Sequence, residues 1–472
     1  MDKEKKAALD EPIYDARTLG TPKMLVLGVQ HLFAMFGATV LVPILTGLSV
    51  SATLLFAGLA TLFMHLVTKR KVPVFLGSSF AFLAGYGTVK TLGVEKGFTE
   101  PQALVYASVG VACAGLLYLV LALICRAVGS KRVMRFFPPV VTGPIIIAIG
   151  LILAPSAINN CSSNWWIALV AIAVVIACNI WGKGMLKIVP ILMGVLVSYI
   201  AAVIFLPEAR ASVAQAVAEA KWIGLPVQAE NTVFSLFGAE NFDSGFLVTA
   251  IITIVPIAFA TMMEHVGDIS AIGGTIEKNL IEDPGLHRTL IGDGIGTTIA
   301  ALFGAPANTT YGETTGVLVL TKVYDPRVIR IAAYFAVVLS FCPKFAALIK
   351  AMPTATIGGV SIILYGMISA VGVRNMVENH TDFQKSRNVI VAAVILGLAI
   401  GINFSGNLGA IITPEKSNLA TGAISFTVGQ MQIGLSGLAV ASIVGIILNA
   451  LLPGKRDEYL PNQENSTSLG KF

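Results

Sequence analysis

Long stretches without a single charge are the feature that most limits how this chain can fold. Residues 24–48, 101–125, 188–207, 244–263 and 351–373 contain no Lys, Arg, Asp or Glu, and 417–454 is equally uncharged. Crossing a hydrocarbon core ~30 Å thick takes about 20 apolar residues in a helix. Only 12% of the 472 residues are charged, against about 25% in soluble domains. Too little charge remains to coat a globule of this length, so lipid is the expected solvent. Splitting the longer runs gives about fourteen segments.

The N-terminus opens with Asp2, Lys3, Glu4, Lys5 and Lys6 and stays polar to Lys23. The first apolar run is too long for the core of a cleavable signal and reads as a retained first span. The five cysteines form no CxxC pair and sit mostly inside apolar runs, as packing thiols do. No metal cluster or disulfide framework is expected.

A net charge of +6 could suggest a nucleic-acid partner. The basic residues, however, cluster at the ends of apolar runs. With a cytoplasmic N-terminus and fourteen spans, all of the 32 Lys and Arg face the cytoplasm except Lys90, Lys96, Arg210, Lys221, Lys344, Lys350 and Lys416. This positive-inside asymmetry predicts a multi-pass protein of the cell membrane with both termini in the cytoplasm and no nucleic-acid partner.

The longest interior polar stretch, 208–243, carries Glu208, Glu219, Glu230, Glu240 and Asp243 and divides the chain into halves. The halves echo each other. Gln30-His31 is answered by Glu264-His265, GSSFAF at 77–82 by NTTYGE at 308–313, and Pro138 with Gly143 by Pro353 with Gly358. An odd number of spans per half turns the second copy upside down, the inverted-repeat construction of many secondary transporters. The two middle motifs also interrupt helices. Residues 74–93 are rich in Gly and Ser, and 304–316 hold Pro306, Asn308, Gly312 and Gly316. Broken backbone survives at membrane depth only where protein or a water-filled cavity satisfies it. Half-helices leading from such breaks aim their N-terminal N–H groups at a central site.

Glu264, Asp268 and Glu313 are the clearest ionisable residues inside apolar runs. A carboxylate at the bilayer centre costs about 3 kcal/mol or more. Glu264 and Asp268, four apart, share a helix face, and paired carboxylates favour taking up a proton. Two readings stand for Asp268, a proton-coupling residue or the polar end of the span. Glu264 reads as a functional or a merely satisfied buried acid. Glu313 reads as a ligand, as a carboxylate on a helix dipole, or as both. Phe80, beside exposed backbone, is a candidate stacking surface for a flat ring. His31 and His265 read more readily as buried, hydrogen-bonded structural histidines than as proton relays. Asp293, flanked by glycines, receives no role.

At these residues the chain resembles the uracil permeases of the nucleobase–ascorbate transporter family. The matching stretches are QHLFAMFGATVLVP at 30–43, GSSFAF at 77–82, EHVG at 264–267, DPGLHR at 283–288, NTTYGE at 308–313 and GGVSIILYG at 358–366. The resemblance implies an all-α membrane protein of fourteen spans in two inverted sevens, with short β-strands in broken segments 3 and 10. It implies a core domain (24–128 and 244–350) and a gate domain (129–206 and 351–454). An external loop (207–243) and cytoplasmic tails (1–23 and 455–472) complete the chain. Members act as homodimers. By motif, Phe80 stands under the base, Glu264 and Glu313 accept its N–H groups, and Gly312 with the backbone at Phe80 donates to its carbonyls. Tyr311, Ala38 and Tyr365 fall near the pocket, with Gln30 and His31 in support. Asp268 stands where some uracil permeases have histidine and purine carriers commonly have aspartate. The expected activity is proton-coupled uptake of uracil or a close nucleobase, with xanthine or uric acid as the nearest alternative and no cofactor beyond H⁺. An anion carrier of the same architecture and a channel are the competing classes. An enzyme is disfavoured because HExxH and GxSxG are absent from the sequence.

Overall fold

The computed structural model describes residues 12–238, 242–405, 423–428 and 431–453; the side chains of residues 188, 313, 314, 425–428 and 431–433 are outside that description. Residues 1–11 of the expected N-terminal tail, 406–422 and the tail 455–472 lie outside the described residues. The first half runs α1 (Thr21–Thr46), α2 (Val50–Val67), β1 (Leu76–Ser78), α3 (Leu83–Glu95), α4 (Glu100–Val128), α5 (Pro139–Cys161), α6 (Trp165–Ile180), α7 (Pro190–Phe205) and α8 (Pro207–Glu219). The second half begins with α9 (Ser244–Thr275), which takes one 3-10 turn at Val255–Ile257 around Pro256, where the helix lacks an N–H donor. It continues through α10 (Leu286–Leu302), β2 (Asn308–Thr310), α11 (Glu313–Thr321), α12 (Pro326–Ser340), α13 (Pro343–Lys350), α14 (Thr354–Glu378) and α15 (Ser386–Phe404). Strands β3 (Ala423–Val428) and β4 (Met431–Ser436) precede α16 (Gly437–Leu451).

Among the described residues, seven helices are long and apolar enough to cross a membrane: α1, α2, α4, α5, α9, α14 and α15. Two bent pairs raise the number to nine, α7–α8 at 109° and α12–α13 at 89°. The chain is therefore a multi-pass membrane protein. The expected loop 207–243 opens with α8, folded back sharply from α7. The uncharged run 417–454 also departs from expectation. Among its described residues only 437–451 are helical, and β3 and β4 pair antiparallel before them, with Ala423 opposite Ser436. Hydropathy alone cannot separate an apolar hairpin from a span, but AISFTV and MQIGLS alternate in the two-residue period of a strand.

Helices sort into two groups by what they pack on. Helix α10 lies against α4 and α2, and α12 against α2 and α1. Helix α14 makes its most extensive contact with α5 and also packs on α6, while α15 packs on α16 and α5. The α5–α14 pair is close because glycines face backbone. A Cβ on Gly372 would stand 2.6 Å from the Gly143 carbonyl oxygen, and one on Gly143 would stand 3.0 Å from the Gly372 oxygen. Small residues at the seam let helices approach in lipid, where no hydrophobic force drives them together. Two polar links fasten the seam: Ser369 Oγ donates to Ile147 O at 3.0 Å and Asn375 Nδ2 to Thr142 Oγ1 at 2.9 Å. Pro138 and Pro353, the echo noted in sequence, each stand immediately before the first residue of one of these helices.

Replacing Gly372 by Val forces this seam apart. The expected cost is about 1–3 kcal/mol, read as a lower melting temperature of the detergent-solubilised protein; an unchanged melting temperature would refute the close approach.

Candidate functional site

The two broken segments meet. Strands β1 and β2 are three residues each, fully buried, and antiparallel, with Leu76 opposite Thr310, Gly77 opposite Thr309 and Ser78 opposite Asn308. The pairing is extended by Ser79 N–H donating to Ala307 O at 2.8 Å and Tyr311 N–H to Phe75 O at 3.3 Å. Neighbouring helices supply the remaining partners. Leu76 N–H donates to Thr61 Oγ1 at 2.9 Å, Ser78 Oγ to Thr39 O at 2.9 Å, Thr297 Oγ1 to Asn308 O at 3.1 Å and Asn308 Nδ2 to Gly296 O at 3.2 Å. Tyr311 Oη donates to Ser78 O at 3.1 Å, crossing from one broken segment to the other. Gly77 has to be glycine, because a Cβ there would lie 2.7 Å from the Tyr311 hydroxyl oxygen.

Half-helices α3 and α11 lead away from the strands. Phe82 is the N-cap residue of α3 and Gly312 that of α11, and neither of these two residues supplies a side-chain cap. Their first-turn N–H groups are the natural donors for a ligand's oxygen atoms.

A cavity of about 380 Å³ lies at this junction, within the usual range for small-molecule sites. Phe80, Glu264, Asp268, Thr310, Tyr311 and Gly312 line it, together with Ile146 of α5, Ile191 of α7, and Met367 and Ile368 of α14. Phe80 is held edge-on by Tyr365 of α14, with ring centroids 5.7 Å apart and planes at 78°. Glu264 is half-buried and Asp268 buried. Asp268 therefore does not end the span at a surface. It lies inside α9, and its Oδ1 is 2.9 Å from where a Cβ on Gly312 would stand. Gly312 thus leaves room for a carboxylate beside the start of α11, where the helix dipole favours negative charge.

Other expected residues fall off the wall. Gln30, His31 and Ala38 are buried in α1, but Phe33 and Ala34 are the residues of that helix on the wall. Neither ring nitrogen of His31 finds a partner among the described residues, so the hydrogen bonds expected for it are not made there. His265 is the well-bonded histidine of the two. Its Nδ1 lies 2.8 Å from Asp293 Oδ2 and 2.7 Å from Thr310 Oγ1, and its Nε2 lies 2.9 Å from Thr289 Oγ1. Asp293, given no role from sequence, is thus the buried partner that fixes the histidine next to Glu264. Its flanking glycines were the available signal, since Cβ atoms on Gly292 and Gly294 would press into Met64 and Tyr118. Glu313 begins α11, and its side chain is outside the described atoms. The apolar half of the wall could not be singled out in sequence, because Ile and Met there look like lipid-facing residues. No group of three or more metal-ligating side chains occurs among the described residues.

Paired short strands inside a helical membrane bundle, with half-helices and acidic side chains gathered at one cavity, define a permease. The family described as "Permease family" matches residues 22–407, and the chain belongs to it, among the uracil permeases of the nucleobase–ascorbate transporters. It is 38% identical to the uracil permease of Bacillus caldolyticus over 95% of this chain and 96% of that one. It is 37% identical to the uracil permease of Bacillus subtilis over 92% and 94%, and 36% identical to that of Escherichia coli K12 over 90% of each. Among solved structures, the fold is similar to the transmembrane domain of a cyanobacterium bicarbonate transporter, BicA, with a TM-score of 0.53 and 16% identity over 78% of this chain and 98% of that one. It is also similar to the murine Slc26a9 anion transporter in the inward-facing state, with a TM-score of 0.57 and 11% identity over 91% of this chain and 67% of that one.

Gly312→Ala places a methyl against Asp268. It is expected to weaken substrate binding while leaving the protein folded, read as a raised KM with an unchanged elution profile. Unaltered KM would show that the close approach of Asp268 to Gly312 has no part in the site.

Proposed function

We propose that this protein takes up uracil, or a closely related nucleobase, in symport with protons by alternating access. One observation carries the reading: Glu264, Phe80 and the start of a half-helix line the same cavity in a chain whose relatives are uracil permeases. Uracil presents two N–H donors, two carbonyl acceptors and a flat ring. A carboxylate suits a donor, first-turn amides suit a carbonyl, and an aromatic edge or face suits the ring. A site made this way rejects analogues that leave its buried polar groups unpaired. Glu264, Asp268 and Glu313 are the proposed proton-coupling groups, because neutralising them lowers the cost of moving the loaded site through lipid.

The helix grouping supports a core domain (24–128 and 244–350) sliding against a gate domain (129–206 and 351–454), since the cavity wall takes residues from both. Fourteen spans, seven before the external loop and seven after, follow if α6, α7, α10, α12, α16 and the two strand–half-helix segments each cross the membrane. Both termini then face the cytoplasm, and a homodimer belongs to the same reading. The cavity runs from Phe80 to Lys187 and Arg374, basic residues at helix ends of the kind retained on the cytoplasmic side. A separate slot of about 10 Å³ among the described residues touches Phe80, Asn403 and Ser436. The cavity's extension to Lys187 and Arg374 supports an inward-facing conformation.

The solved neighbours include anion carriers, which keeps an anion substrate as the second reading. Glu264 and Asp268 beside Phe80 oppose it, because they repel anions, while Lys187 and Arg374 on the same cavity favour it.

Proteoliposomes with an acidic exterior should accumulate radiolabelled uracil above its external concentration, and thymine, xanthine and uric acid should compete according to how well they match its edge. Uptake indifferent to the pH gradient would reject proton coupling, and flux that follows chloride or sulfate instead would favour the anion reading. Glu264→Gln should weaken uracil binding by about ten- to a hundredfold, the worth of a charged hydrogen bond; unchanged affinity would remove Glu264 from the site.

A further inference from the structure

The polar N-terminal region reads in sequence as a tail, yet residues 13–19 are fastened to the core at several independent points. Ile13 forms a parallel bridge with Val323, its N–H donating to Lys322 O at 2.8 Å and its carbonyl accepting from Tyr324 N–H at 2.8 Å. Lys322 caps the end of α11 in the left-handed region, at φ 52°, a conformation that a side chain disfavours and that neighbouring structure has to hold. Tyr14 Oη donates to Ile276 O at 3.1 Å, the residue that caps α9. The Tyr14 ring stands edge-on to Tyr324 at 5.5 Å and lies under the Lys278 ammonium at 4.5 Å. Ala16 N–H donates to Asp325 Oδ2 at 2.8 Å, and Arg327 Nη1 bridges Asp15 at 2.8 Å and Asp325 at 2.9 Å. Hydrogen bonds from Arg17 hold the Asp15 carboxyl down to about 2, so it stays charged at any pH a cell meets. Beneath, Ala16, Val323 and Val328 form a small apolar cluster with Met24 and Leu27 of α1 packed on it.

These contacts reach three elements that bear on the cavity. Helix α1 supplies Phe33 and Ala34, α9 supplies Glu264 and Asp268, and α11 starts at the site. The three are distant from one another in sequence, so no short loop links them at this end. We propose that residues 13–19 are a positioning clamp, which sets the depth and tilt of α11 against α9 and so the placement of the Gly312 amide relative to Glu264 and Asp268. Tyr14 and Asp325 are positioning residues in this account, since they act on the site through the helices they hold. A core domain that has to move as one body gains from a tie at the end of α11 away from its β1–β2 junction.

The clamp rests on the nucleobase-binding reading for one of its two readouts. Full-length Ile13→Pro removes the N–H that holds Lys322, and Tyr14→Ala removes the ring and its hydroxyl. Both are compared with wild type for uracil affinity and for backbone hydrogen exchange across residues 313–321, with melting temperature and elution profile as controls. The affinity should fall about five- to tenfold, the worth of one net hydrogen bond, and exchange in α11 should quicken. Tyr14→Phe, which keeps the ring, should recover part of both. Unchanged affinity and exchange in the two variants would overturn the clamp. A wild-type protein that binds no uracil would reject the functional reading instead and leave exchange in α11 to decide the clamp. If Ile13→Pro fails to fold, Tyr14→Ala decides alone.

Discussion

The antiparallel pairing of β1 with β2 is the constraint on which the rest of the site depends. Six residues of extended backbone sit fully buried within a helical membrane protein, where each unmet N–H or C=O would cost several kcal/mol (order of magnitude). Each broken segment alone would be untenable. Together they satisfy one another, and Thr39, Thr61 and Thr297 supply partners from α1, α2 and α10. Because the strands pair, the half-helices that follow them begin at a shared cavity. The N-terminal donors, Phe80 and the carboxylates of α9 come to one place as a consequence.

The same junction explains why several residues are what they are. Gly77 yields to the Tyr311 ring, and Gly312 yields to Asp268. His265 is pinned from three sides by Asp293, Thr310 and Thr289, which ties α9 to β2 directly behind Glu264. Across the cavity, the glycine seam of α5 and α14 makes a second unit whose Tyr365 meets Phe80. The cavity is thus lined from both helix groups, as the proposed carrier, exposing its site alternately to each side, would need.

The sequence was most readable where it broke its own pattern. Uncharged runs marked the spans, and Gly, Pro and Asn inside them marked the two interruptions, because lipid tolerates exposed backbone so poorly. Carboxylates in apolar runs stood out for the same reason. What stayed hidden depended on partners distant in the chain. The glycines around Asp293 hinted at close packing, but its role needed His265 against it, and the Asp268 position inside α9 needed the approach of Gly312. Residues 13–19 looked like a tail because their bonds go to residues 276–327. The β3–β4 pair was concealed inside an uncharged run, where a strand and a helix share one hydropathy.

The most direct test is an experimental structure of the protein with uracil bound. The account predicts the ring beside Phe80, an N–H within hydrogen-bonding distance of Glu264, and a carbonyl oxygen at the first turn of α11. Uracil seated elsewhere, or in this cavity without a contact to Glu264 or to the start of α11, would contradict it.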